Sequence, residues 1–485
     1  MKKYILSAVS VAIMGLPSCT EDIFDTINKN NQNPAPENVF AYLQLPEAIM
    51  ATGFSTVSGD YAFYLSSLTE QEIGVGNNQL MKAELRNPLE WSSSTTFNNV
   101  WNATYGNLMN IRQIIQKITD EVPGNAGQYD LLGMAQVLEA LNFGVLTDVH
   151  GDIPYSEALK GQENLQPKLD SQKDVYAGII KTLDDAIANL KKGNDLGSVG
   201  ESDIAFGNDN DQWLATAYAL KARYMMHQLA VTDNKTQLLK DVKTAAEEAV
   251  SLGFEGFKIT EFNGIICVNP WSAYVWSREY VASSKTVADL MTADDPRFNH
   301  YTYGTGESYA PGDKATAEVA DGSLAFPEWY DMGSQPIQLF SVHELYFLLA
   351  EAKLRLNEDA TSDFQAAVTA SIEEILSWVD DDEADVATYV QSLGAPSLEL
   401  LFKQKYIAQC ADEQIETYND LRRLKALGEE YVVMTNPNNT QGGANRYPER
   451  LPYGNSGVIS NPNLKEAFGD GSYIYSAKTW INGGK

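Results

Sequence analysis

Five aromatic side chains, Trp271, Trp276, Tyr301, Tyr303 and Trp329, are the residues of this chain best placed to hold a ligand. All lie between Gly253 and Gln338, where Gly, Pro, Tyr and Trp crowd together with little hydrophobic period. Val268–Trp276 and Asn299–Tyr309 are the densest parts. A run of this length without regular pattern inside a compact chain is unusual and commonly functional. Indole and phenol rings offer a flat apolar face and a polar edge, which suits surfaces apolar on one side and wet on the other. The composition leans the same way, since the 25 Tyr outnumber the 17 Phe. The competing reading of Trp271 and Trp276 is that they pack as core.

A second reactive group is the thiol of Cys19. Lys2 and Lys3 give a positive start, Tyr4–Gly15 is apolar but too short to span a bilayer, and Leu16-Pro17-Ser18 precedes the cysteine. This is the pattern of a secretory signal peptide over residues 1–18. Its end looks like a lipobox, which implies cleavage before Cys19 and lipidation of that residue. Acyl chains then anchor the protein without spanning. The acidic Thr20-Glu21-Asp22 that follows resembles a surface-export signal of lipoproteins. Residues 19–46, rich in Asn and Pro, read as a lipid-anchored tether.

Other chemistries leave no signature. HExxH, G-x-S-x-G, a phosphate loop and a dinucleotide fingerprint are all missing from the sequence, so no catalytic residue is assigned. His150, His227, His300 and His343 form no metal-type cluster with Cys, and no metal or cofactor is expected. Asp380–Glu383 lacks the glycine and spacing of a calcium loop and reads as a solvated loop or helix end. Paired carboxylates for glycoside hydrolysis stay open by count alone. Cys267 and Cys410 could pair in an exported protein, but buried free thiols are the better reading in a chain of 485 residues. A net charge of −30 argues against nucleic acid and anionic membranes as partners.

Helical periodicity dominates the elements that must position these residues. Apolar residues three or four apart mark helices over Phe97–Ile118, Leu131–Leu146, Val175–Leu190, from Asp211 to Leu229, and Leu238–Leu252. Ser171 and Asp174 form a capping box for the third. Helices resume at Val342–Leu356 and Leu400–Leu427, and Met434–Asn463 reads as loop. The expected fold is mainly α, tetratricopeptide-like helix pairs plus an irregular, loop-rich part. Residues 47–485 form a single body, with the insertion at about 253–340.

Several segments, taken in order, resemble the SusD/RagB-like outer-membrane nutrient-binding lipoproteins, in particular the SusD-like 2 branch. Gly151-Asp152-Ile153-Pro154-Tyr155-Ser156-Glu157-Ala158 matches a family turn after a helix. Asp174–Leu190, Ala217–Met225, Glu344–Arg355, Gln404–Ala408 and Glu416–Arg423 match family helices, and Tyr447–Asn463 resembles the family tail. Most of these residues read as structural: Pro154 fixes a backbone angle, Asp152 bonds backbone amides, Glu351 and Arg355 pair, and Arg422 and Arg423 clamp carboxylates or helix ends. The resemblance implies a binding protein and not an enzyme. It implies a lipid-anchored protein on the outside of the outer membrane, partnered with a SusC-like TonB-dependent β-barrel transporter. The ligand it implies is an oligosaccharide or other nutrient, met by aromatics on loops outside the helical-repeat half; the five candidates above lie in such a segment, although no family motif maps them one by one. The alternatives are an all-helical surface glycoside hydrolase and a periplasmic helical-repeat scaffold.

Overall fold

The computed structural model describes residues 39–484 apart from 77, 88–92, 195–198, 279–280, 305, 309, 313–323 and 382–383. The leader, Cys19 and the tether up to residue 38 therefore lie outside the described residues, as does the end of the Asp380–Glu383 run. The last part of the expected tether belongs to the body: Ala41 and Leu45 are fully buried.

The chain begins with α1 (Leu45–Ala51), a wide turn of π type (Thr52–Val57) and α2 (Asp60–Leu68). The strand β1 (Glu72–Gly74) and α3 (Gln79–Glu84) follow. Five long helices come next: α4 (Asn98–Thr119), α5 (Tyr129–His150), α6 (Gln172–Leu190), α7 (Asn210–His227) and α8 (Lys235–Ser251). Each packs against the next, as the apolar stripes require. The predicted capping box forms, with Ser171 Oγ accepting the Asp174 amide at 3.2 Å.

The irregular segment holds short elements: β2 (Phe257–Ile259), α9 (Pro270–Arg278), β3 (Val281–Ser283), α10 (Lys285–Ala288), α11 (Phe298–Tyr301), α12 (Trp329–Met332) and β4 (Ile337–Phe340). Its two ends pair antiparallel, with Phe257 opposite Phe340 and Ile259 opposite Ile337, which closes the insertion at its base. β1 pairs with β3 and ties the insertion to the N-terminal part. The array then continues with α13 (Val342–Arg355), which packs directly on α8, and α14 (Thr361–Val379). The segment is thus an insertion into one helical stack. α15 (Val386–Ser392), α16 (Leu398–Ala408), α17 (Gln414–Leu427), α18 (Asn455–Ser460) and α19 (Pro462–Phe468) complete the chain. The helical stretch Leu400–Leu427 is two helices, broken at Gln409–Glu413, where Cys410 and Ala411 turn into a core shared with the insertion.

The residues matched in sequence do structural work. Gly151 ends α5 at φ 85°, a conformation that a side chain disfavours. Asp152 Oδ1 accepts the Gln172 amide at 2.8 Å, and Tyr453 Oη donates to the Asp152 carbonyl at 2.8 Å, so the tail closes over this turn. Arg423 grips Glu351 through two bonds, and Arg355 adds a third at 2.8 Å. Arg422 caps carbonyls of Asp148 and Glu449. Cys267 and Cys410 are both free thiols. Among the described residues no helix is long and apolar enough to cross a membrane.

Candidate functional site

Three of the five predicted aromatics are not at the surface. Trp271, Tyr301 and Trp329 are at most 1% exposed and share the core of the insertion. Trp271 stacks on Tyr330 at 5.0 Å, and Tyr301 accepts the Ser284 amide at 2.7 Å and donates to the Gln71 carbonyl. A ligand does not reach rings placed this way. Trp276 (43% exposed) and Tyr303 (40%) do face solvent. Trp276 lies over Gly333, and Tyr303 stands edge-on to Phe326, so the two belong to different local packings.

The aromatic surface that does form a cleft lies one turn away. Phe63 and Tyr274 stack at 4.4 Å with 14° between their planes, and buried Trp271 supports Phe63 from behind, edge-on at 4.7 Å. Together with Phe54, Ser58, Asp60 and Asn99 they line a surface cleft of about 330 Å³. The wide turn builds its wall. Ser58 N reaches back five residues to the Gly53 carbonyl at 2.9 Å, which sets Phe54 outward, 46% exposed. Turns of this kind recur at functional sites.

A buried hydroxyl–amide network fixes the wall to α4 and α5. Thr52 Oγ1 accepts from Asn107 at 3.0 Å and Asn142 at 2.8 Å, and Thr56 Oγ1 donates to Asn142 at 2.8 Å. Gly59 then lets the chain turn into α2, since a Cβ there would collide with the Ser55 carbonyl. Two polar groups in the cleft stand out. Ser58 Oγ is buried without a hydrogen-bond partner among the described residues. Burial lifts the Asp60 carboxyl above its usual range, and no described cation pairs with it. Rings on one wall with the Asn99 amide and the Asp60 carboxylate on the rim can hold a ligand with an apolar face and a polar edge. Of these residues only Tyr274 fell within a stretch that sequence reasoning singled out. Phe54, Phe63, Asp60 and Asn99 carried no signal beyond their types.

Other titratable clusters serve different ends. Asp148, His227 and Glu416 are buried together, with ligand atoms close enough to hold a metal. Burial alone would lower the His227 pKa; Glu416, 2.8 Å from Nε2, and Asp148 outweigh it and raise the pKa to about 9. Without a metal, the protonated ring is held by Glu416 at Nε2 and by Tyr176 Oη, 2.9 Å from Nδ1. A wider pocket of about 570 Å³ is lined by Asp294, Asp295, His300, Asp381 and Asp385. Burial would raise Asp295, but Arg297, 2.8 Å away, holds it below the usual range. His300 is bracketed by Glu328 at 2.5 Å and Asp381 at 3.1 Å.

A family model described as "Starch-binding associating with outer membrane", SusD-like 2, matches residues 71–454. Among solved structures, a SusD/RagB family protein from Bacteroides thetaiotaomicron is 33% identical, with a TM-score of 0.80; the match covers 92% of this chain and 100% of that one. A chitin-binding SusD homologue from Flavobacterium johnsoniae is 19% identical with a TM-score of 0.68, over 91% of this chain and 98% of that one. Another chitin-binding protein is 21% identical with a TM-score of 0.71, over 92% and 100%. No curated protein sequence matches the chain.

Proposed function

The chain belongs to the SusD-like 2 family, whose members associate with the outer membrane, and from that premise we propose that it is a surface glycan-capture protein. It is anchored through lipidated Cys19 and passes an oligosaccharide to a partner TonB-dependent barrel. The observation that carries this reading is the cleft of Phe54, Phe63 and Tyr274 with Asp60 and Asn99 on its rim. Sugar rings have apolar C–H faces bordered by hydroxyls, and this cleft has the matching halves. The chitin-binding relatives support the ligand class. Capture is favoured over hydrolysis, because among the described residues lining this cleft there is one carboxylate, Asp60, where glycoside hydrolysis ordinarily takes a facing pair. Weak binding suffices for delivery, since a millimolar site needs only about 4 kcal/mol.

A glycan array probed with the full chain, followed by titration of the glycans that bind, tests the reading. Binding to neutral glycans that Tyr274→Ala weakens is the expected result. An array without binding, or release of reducing ends on incubation, would overturn it.

A further inference from the structure

The cleft does not end at Ser55. A second groove of about 510 Å³ shares Ser55 and Ala103 with it and continues between the N-terminal helical stretch and α4. Leu43, Gln44, Glu47 and Ala51 line one wall, one helical turn apart. Gly106, Asn107 and Asn110 line the other. From Asn99 in the cleft to Asn110 at the far end is a rise of roughly 16 Å along α4, at 1.5 Å per residue. That is longer than one sugar ring.

Resting on the reading above, we infer that this groove is the extension of the same site and accepts the next units of a linear, uncharged glycan chain. Three observations carry this. First, Asn107 is 6% exposed, and its Oδ1 has no partner among the described residues, although its Nδ2 is bonded to the Ala48 carbonyl and Thr52 Oγ1. With Ser58 Oγ, the lining of each half of the groove has one buried polar atom without a partner among the described residues, and such atoms are normally completed by water, which a ligand can displace or bridge to. Second, the space over α4 is open: a Cβ on Gly106 would meet nothing within 4 Å. Third, among the described residues the charged side chains lining the two halves are Glu47 and Asp60, both acidic, with no Lys or Arg. Lys117, beyond Asn110, has its ammonium held by the Val39 carbonyl and Gln44 Oε1. A chain bearing carboxylates or sulfates would find repulsion and no counter-charge.

The test is calorimetric titration of the detergent-purified full chain with chito- and malto-oligosaccharides of two to six units and with oligogalacturonides. The hexamer of a bound neutral series should bind about tenfold tighter than its dimer, the worth of one or two further hydrogen bonds. Gly106→Leu, a change that favours the helix, should reduce the hexamer to the affinity of the dimer and leave the dimer unchanged. Asn110→Leu should act in the same direction and carries the test if Gly106→Leu melts early. Equal affinity for dimer and hexamer, or a length effect that survives both variants, overturns the extension and leaves the aromatic cleft standing. Tighter binding of oligogalacturonides than of neutral chains also overturns it. Binding that Tyr274→Ala fails to weaken, or no binding in any series, overturns the cleft reading itself.

Discussion

Trp271 and Tyr274 stand three residues apart in α9, one buried and the other lining the cleft. Their substitutions should therefore separate. Tyr274→Ala should weaken glycan binding by about 2 kcal/mol, roughly 30-fold, with little change in melting temperature. Trp271→Ala should cost about 3–5 kcal/mol of stability, read by denaturant unfolding. The reverse pattern would place the ligand elsewhere. Which aromatic faces out was not legible in the sequence, because a nine-residue helix in a run without period gives no face to assign. Structural roles were legible where partners sit at fixed spacing, as with Glu351 and Arg355. A second prediction concerns Glu72. Burial raises its carboxyl from the ordinary 4.5 to about 8, against opposing bonds from Tyr330 and Ser66. The folded protein keeps a proton that the unfolded chain has lost between these values, so this residue's contribution to stability is full below pH 4.5 and falls as pH rises toward 8. Melting curves across that window should show a smaller decline for Glu72→Gln than for the wild type; an unchanged slope would refute the assignment.

Among the elements, the long helices were readable and the site-building ones were not. Asn98–Thr119 and Gln172–Leu190 follow apolar stripes that periodicity finds directly. α1, the wide turn and α2 are short, and their pattern is set by what they dock against, so the wall of the cleft emerges only from tertiary contact. The break at Gln409–Glu413 escaped for the same reason, since apolar residues continue across it to serve two cores. The wide turn depends on Gly59. Gly59→Val should force the chain away from the Ser55 carbonyl, displace Phe54 and Ser58, lower the melting temperature and weaken glycan binding together. Affinity preserved in a folded Gly59→Val protein would show that the turn does not build the site.

On the scale of the whole molecule, one helical stack carries an insertion closed at its base by β2 and β4, with the cleft where that insertion meets the N-terminal helices. This division into scaffold and irregular part was visible in the sequence as a change of period near Gly253. The proposed lipid anchor belongs to the same scale. Cys19→Ala should abolish fatty-acid labelling and release the chain from the membrane fraction; retention of the mutant, with no label on the wild type, would contradict the anchor. The central claim is that the Phe54, Phe63 and Tyr274 cleft holds sugar. A crystal structure of the protein with the tightest-binding neutral oligosaccharide tests it most directly. The expected result is a sugar ring against Tyr274 and Phe63, with its hydroxyls on Asp60 and Asn99. A ring seated instead on Trp276, on Tyr303 or in the acidic pocket around His300 would contradict it.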